Sequence, residues 1–246
     1  MKRLNNLILA SFFGAALLVS SCATAPKADD AALAVLRSTC NKLKAAQTLC
    51  ATGTRVSDPS LLPAGLGKEN ASFEVMVVRP AKIAFKVSDG NGTRRILADG
   101  QHLTLVDDKA NIYDTLPGKA KTIDAVAGEI EKTFDYQPIG LELLGSDPMK
   151  TLLEGVTSGK VVGDETVGGV KCRRLSFTQP GLNWDLWVST GDQLPRKLAM
   201  VFTDRPGQPQ RTVTINQWTL NSVVPASGFV FTPGKDAHKV DIIPAR

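Results

Sequence analysis

The sequence predicts a mainly β fold with minor α content, built from about eleven strands and about three helices. Three observations support this. Apolar residues alternate with other types through most of the chain after residue 48, turn-forming pairs separate the alternating runs, and helical spacing appears in only a few places. With 246 residues, the chain is long enough for one β-rich domain around a single core.

Residues 1–21 read as an export signal. Lys2 and Arg3 precede an uncharged, mostly apolar run over 7–19, and small residues follow. That run is too short to span a bilayer, which takes about 20 apolar residues. Val19-Ser20-Ser21-Cys22 matches the lipobox, in which an aliphatic residue and two small residues precede the cysteine that signal peptidase II requires. Cys22 is therefore the candidate lipid-attachment residue. One acyl chain binds a membrane only marginally, at about 0.8 kcal/mol per buried CH₂, whereas two or more anchor stably. Ala23 follows the cysteine where an Asp would signal retention. By similarity to enterobacterial sorting, this predicts an outer-membrane lipoprotein facing the periplasm. Residues 22–28 read as a lipidated tether and 29–246 as a single domain.

The first helix is expected over 29–46, where Leu33, Leu36, Cys40 and Leu43 recur at three- and four-residue steps and Asp29 or Asp30 can cap the start. From Thr48 the period changes. Phe73-Val75-Val77, Ile83-Phe85-Val87 and Leu103-Leu105 alternate as strands do, and Arg79-Pro80, Asp89-Gly90-Asn91-Gly92, Asp99-Gly100 and Asp107-Asp108 supply the turns of an antiparallel meander. Helical spacing returns over 122–134 with Ile123, Val126, Ile130 and Phe134, and Ser146-Asp147-Pro148 reads as another helix start. Strands resume after Gly155 and are expected over 160–163, 170–177, 183–188, 197–203, 211–221 and 229–232.

Several strands are apolar on both faces. Met76 and Val78 oppose Phe73, Val75 and Val77, while Ala199 and Val201 oppose Leu198, Met200 and Phe202. A single antiparallel sheet with one wet face does not look like this. Two explanations stand side by side: helices cover the second face, or a curved sheet lines an apolar cavity with its concave side.

The formal charge of +5 falls to +3 over 225 residues once 1–21, with Lys2 and Arg3, are removed. No basic run with interleaved aromatics occurs, which excludes the usual signature of a nucleic-acid partner. The pairs Arg94-Arg95 and Arg173-Arg174 read as solvated strand edges or faces.

No catalytic constellation is found. His102 and His238 are the only histidines, and no Gly-x-Ser-x-Gly elbow is present. Gly155-Val156-Thr157-Ser158-Gly159 comes nearest and reads as a helix stop and turn. No spacing typical of a metal site appears, and nothing implies a cofactor. Asp107-Asp108 reads as a hairpin turn, Asp124, Glu129 and Glu131 as a solvated helix face, and Trp184 and Trp187 fall on opposite strand faces.

Two local features complete the reading. Cys40 and Cys50 form the candidate disulfide, because a helix ending near Ala46 and a returning strand bring them to similar heights at about 1.5 and 3.3 Å per residue. Cys172 is then a buried strand cysteine. The connection over 57–70 carries Leu61, Leu62 and Leu66 in a Pro- and Gly-containing stretch. These leucines are candidate contacts for a membrane or an acyl chain; the alternative is that they fold back over the mouth of the sheet.

Finally, Ser146-Asp147-Pro148, the run from Leu152 through Gly159, Val167-Gly168-Gly169-Val170-Lys171-Cys172, Trp184-Asp185-Leu186-Trp187 and Leu194-Pro195-Arg196-Lys197-Leu198 occur in order. Together they resemble a family of predicted periplasmic proteins of unknown function, grouped with the LolA/LolB-like lipoprotein carriers. The resemblance runs from about residue 29 to 233. It implies an open, strongly curved antiparallel half-barrel with helices on its concave side. It implies no activity and places no ligand-binding residue. The better-known members of the superfamily hold lipoprotein acyl chains in the concavity. By that analogy the expected partners are the membrane, a lipid or lipoprotein acyl chain, and an envelope protein. The leading expectation is a non-enzymatic envelope lipoprotein that accepts an acyl chain; the alternative is an interaction scaffold that fills its own cavity.

Overall fold

The computed structural model of the chain describes residues 27–62, 69–134 and 140–241. Its centre is one open, curved sheet of thirteen strands. The first meander holds β2 (Thr48–Ser57), β3 (Asn70–Val78), β4 (Lys82–Asp89), β5 (Gly92–Ala98), β6 (His102–Asp107) and β7 (Ile112–Pro117). The second holds β8 (Ser158–Val167), β9 (Val170–Gln179), β10 (Leu182–Ser189), β11 (Pro195–Phe202) and β12 (Gln210–Leu220). Their number agrees with the count of about eleven that the alternation predicts, although 229–232 is not among them. Antiparallel pairing of β12 with β2 joins the meanders.

Two-residue strands partly cap both outer edges. β1 (Lys27–Ala28) runs parallel to β8, and β13 (His238–Lys239) runs parallel to β7. A long exposed edge invites pairing with another chain, and such caps shorten what is free. The tether read over 22–28 thus ends inside the sheet. Four α-helices pack with it: α1 (Asp30–Ala45), α2 (Ile123–Phe134), α3 (Leu141–Leu144) and α4 (Pro148–Leu153). The last three form the crossover between the meanders, and α3 is the one whose four residues are too few to show a period.

The start of α1 is fixed twice. The Asp29 carboxylate accepts from the Ala32 N–H at 2.6 Å and from the Val161 N–H at 3.3 Å, and the Asp29 N–H donates to the Gly159 carbonyl at 2.9 Å. One side chain therefore caps the helix and ties it to the second meander. Ala32, Leu36, Cys40 and Leu43 form the buried stripe, and Leu33, expected there, is half-buried.

One continuous core lies on the inner face. Leu49, Val77, Ile83, Ala98 and Leu103 face it from the first meander and Leu175, Leu186, Leu198 and Val213 from the second, against α1 and the crossover helices. Gly53 is needed inside β2, because a Cβ there would lie 2.6 Å from the Phe73 ring. Phe73 crosses its neighbour at that gap.

A second, smaller cluster lies on the opposite face and accounts for the apolar second face of β3, where Met76 and Val78 oppose Phe73, Val75 and Val77. Ala84 and Leu97 are covered by Phe229, with Met76, Val78, Val224 and Phe231 around them. Phe231 also packs on Tyr113 at 5.1 Å between ring centroids. The strand expected over 229–232 is therefore a correction: Ala226–Phe229 is a 3-10 turn entered from Pro225, and the segment crosses the outer face as a strap. Helices cover the inner face in this meander, and the C-terminal strap covers the outer one.

Candidate binding face

The inner face changes character along the strands. The row Leu49, Val77, Ile83, Ala98 and Leu103 is wholly apolar. The next runs Ala51, Val75, Phe85, Ile96, Leu105 and ends on Asp114, which is 3% exposed. Then come Gly53, Phe73, Val87 and Arg94. After these, Val213, Arg55, Ala71 and Asp89 lie side by side, and finally Met200, Arg211 and Ser57. Polarity rises over three successive rows, so the face is apolar at one end and ionic at the other.

The groups at the ionic end are buried or half-buried. Arg94 Nη2 donates to Asp89 Oδ2 at 2.8 Å, and the Asp89 side chain is 1% exposed. Arg55 is 5% exposed and Ser57 1%. Arg211 donates through Nε to Ser57 Oγ at 3.2 Å and through Nη2 to the Leu61 carbonyl at 3.0 Å. Its guanidinium lies 6.0 Å from the centre of the Phe202 ring, over which Arg205 also sits at 5.0 Å. Moving such a charge out of water costs several kcal/mol before partners offset it.

Glu142 of α3 joins this group. It is half-buried as a residue, but its carboxyl sits among protein atoms and burial pushes it above its ordinary value of 4.5. Its own N–H, that of Gly140 and the charge of Arg211 pull the other way without cancelling the effect.

Of the residues singled out from sequence, Leu61 and Leu62 are half-buried at the end of a 3-10 turn, Pro59–Leu61. Asp58 caps that turn by accepting from the Ser60 N–H at 3.1 Å. Both ends of the connection are tied down, through Asp58 N–H to the Gln210 carbonyl at 2.8 Å and Ser57 N–H to the Glu69 carbonyl at 2.9 Å. Leu66 and Cys22 lie outside the described residues.

The candidate disulfide is corrected. Cys40, Cys50 and Cys172 are all free thiols. Cys40 points into the core from α1, whereas β2 turns Leu49 and Ala51 to that core and Cys50, between them, to the other face beside Met76. The sequence argument matched their heights but not the alternation of the strand. Cys172 is fully buried on β9, as expected.

Of the two basic pairs, Arg94 alone departs from the solvated reading. Arg94 faces inward to Asp89, while Arg95 faces outward to Asp108 and the Phe231 ring. Arg173 pairs with Asp164, and Arg174 bridges Glu165 and Asp185. Trp184 stacks on Phe177 in the inner core at 4.3 Å, and Trp187 is buried on the outer face between Arg174 and Lys197, donating to Glu165 at 2.7 Å. His102 opens β6 beside Asp99, and His238 lies on β13. Among the described residues, no group of three or more potential metal ligands occurs and no helix is long and apolar enough to cross a membrane.

Sequence reading passed over Arg55, Asp89 and Arg211. The signal was present for Arg55, since Leu49, Ala51, Gly53, Arg55 and Ser57 share one parity on a strand whose other members face the core.

An open antiparallel half-barrel whose concave side is covered by helices is the class this architecture defines. The chain belongs to the family described as predicted periplasmic protein, DUF2092, whose model matches residues 32–243. No curated protein sequence matches it. Among solved structures it is similar to the Mycobacterium tuberculosis lipoprotein LppX, at 15% identity and a TM-score of 0.48, over 80% of this chain and 99% of that one. It is also similar to a chain of the Pseudomonas aeruginosa MucA/MucB complex, at 14% identity and 0.46, over 82% and 61%. A LolA superfamily protein from Nitrosomonas europaea matches at 8% identity and 0.37, over 81% and 97%. At these values the likeness carries no argument about ligand or partner.

Proposed function

We propose that the protein is a non-enzymatic envelope lipoprotein, exported by residues 1–21, held to the outer membrane by lipid on Cys22, and able to accept the alkyl chain of an amphiphile on the concave face of its sheet. The observation that carries this reading is the apolar inner face closed by short helices. α3 contributes Leu141, Leu143 and Leu144 to the core from only four residues. Burying a leucine is worth about 1.5–3 kcal/mol, and a chain of about twelve methylenes is worth roughly 10 kcal/mol at 0.8 each. An acyl chain can therefore replace the leucines of α3 without net loss. The family description as periplasmic supports the compartment.

A second reading has its own support: the inner face is already filled by Leu36, Leu43, Ile123, Ile130 and Leu143, as a scaffold that binds another envelope protein would have it. A fluorescent fatty acid decides between them. Saturable binding at one molecule per chain, displaced by unlabelled fatty acid, supports the first reading; no binding supports the second. Anchoring is tested separately by labelled palmitate, which is expected on the wild type and absent from Cys22→Ser.

A further inference from the structure

The chain joins the sheet at a defined rim. β1 pairs with the start of β8, Lys27 beside Ser158 and Ala28 beside Gly159, and the Asp29 N–H donates to the Gly159 carbonyl at 2.9 Å. Because the two strands are parallel, Lys27 stands at the end where β8 begins. From Ser158 one row of paired residues crosses Thr178, Asn183, Val201 and Gln210, and the Gln210 carbonyl accepts from the Asp58 N–H at 2.8 Å. The connection that carries Leu61 and Leu62 therefore leaves the sheet from the same rim, which is also the ionic end of the concave face. It lies six strand spacings from β1, about 29 Å along the curved sheet at 4.8 Å each.

We propose that this rim rests on the bilayer that holds the Cys22 lipid, with a lipid surface as its partner and Val56, Leu61 and Leu62 at the contact. This rests on the reading of Cys22 as lipidated, and it sets the ionic end of the concave face at the level of the lipid headgroups, where an amphiphile exchanging with the bilayer arrives. Chain length carries the argument. Cys22 is five residues before Lys27, and five residues span at most about 18 Å. β8 runs for ten residues, Ser158–Val167, or about 30 Å at 3.3 Å each, so the opposite rim, where β8 and β12 end, stands beyond the reach of the anchor. Charge decides which surface near the anchor turns to lipid. The free side of β8 carries Lys160, Asp164 and Glu165, the carboxylates paired with Arg173, Lys171 and Arg174, and the outer face beside it sets Arg174 and Lys197 over Trp187. Both suit water. At the rim, Val56 is 51% exposed at the end of β2, and Leu61 and Leu62 follow it half-buried. The exposed charges around them, Asp58, Glu69, Asp204 and Arg205, are of both signs, so the contact is apolar and needs no anionic lipid. A short tether makes even a weak contact of this kind intramolecular and therefore populated.

The test uses the full chain, lipidated by its host and reconstituted into vesicles of phosphatidylethanolamine and phosphatidylcholine. Cys50→Ser removes the half-buried thiol, and single cysteines are introduced by Ser60→Cys at the rim, Val162→Cys on the edge of β8 and Val223→Cys at the opposite rim, each carrying a fluorophore that is quenched by lipid spin-labelled at its headgroup. All three positions are exposed, so the substitutions leave the fold intact. Quenching is expected to be several-fold stronger for Ser60→Cys than for Val162→Cys or Val223→Cys. Inserting about twenty Gly and Ser residues after Ala25, a flexible reach of roughly 25 Å, should bring the first value down towards the other two. Equal quenching at all three positions, or the strongest quenching for Val162→Cys or Val223→Cys, overturns the proposal while leaving both the anchor and the alkyl-binding reading intact. A chain that takes no labelled palmitate and does not stay with the vesicles overturns the anchor and the proposal together, and fatty-acid binding by the Cys22→Ser chain is then read on its own.

Discussion

Arg211 on the last long strand donates to the carbonyl of Leu61 at 3.0 Å, and so ties the inner face of the sheet to the start of the connection between β2 and β3. That bond fixes the level at which Leu61 and Leu62 leave the sheet. Both are half-buried, between the exposed tip and the core that their sequence allows.

Half-burial sets the expected cost of changing them. Leu61→Asp with Leu62→Asp should destabilise by roughly 1–3 kcal/mol, more than a free surface pair and less than two core charges. If the segment touches hydrocarbon, liposome association of the unlipidated chain falls sharply in the same variant. Unchanged association in a folded variant removes these residues from the membrane-contact proposal.

Phe229 is 2% exposed and covers Ala84 and Leu97 on the outer face. Phe229→Ala should cost about 3–5 kcal/mol, read as a lowered Tm, and should open the strap to proteolysis after Pro225. A loss below 1 kcal/mol would show that the strap contributes little to the fold.

Stability should depend on pH from two directions. The hydrogen bond from Trp187, followed by that from Arg174, holds Glu165 below its ordinary value, and that from Arg173 does the same for Asp164. Groups lowered in this way add stability above their unfolded values, and it is lost as pH falls through their folded ones, so acid weakens the Trp187 face. Glu142 has the opposite sign. Raised by burial, it favours the fold below its ordinary value of 4.5, and that contribution is lost as pH rises through its folded value. The Tm of Glu142→Gln relative to wild type should therefore rise from pH 4 to pH 8; a flat difference contradicts the buried carboxyl.

Thiol reactivity should separate the three cysteines. Burial, followed by the charge of Asp147, pushes the Cys40 thiol up to about 12, and burial raises Cys172. The thiolate is the reactive form, so iodoacetamide should label half-buried Cys50 first and the other two only on unfolding. A non-reduced digest joining the Cys40 and Cys50 peptides would contradict the placement of Cys50 on the outer face.

Most of the long strands, α1 and α2 were legible because period two and period 3.6 are properties of consecutive residues. Less local features were not. That Cys50 turns away from Cys40 follows from strand parity, which the sequence contains, but their separation by the sheet becomes visible only once α1 is placed. Phe229 looked like a strand residue because an apolar residue on a strap and one in a strand are alike in sequence. The ionic end of the concave face was hidden for a related reason: Arg55, Asp89, Arg94 and Arg211 come from four strands and meet only through the register of β12 on β2 and of β3 through β5.

The central claim is that the concave face takes an amphiphile. Native mass spectrometry of the exported Cys22→Ser chain, purified without detergent, tests it most directly. The account predicts a population carrying the extra mass of one lipid, released by organic solvent. A single species at the mass of the bare chain, unchanged after incubation with dodecyl phosphate, would contradict it.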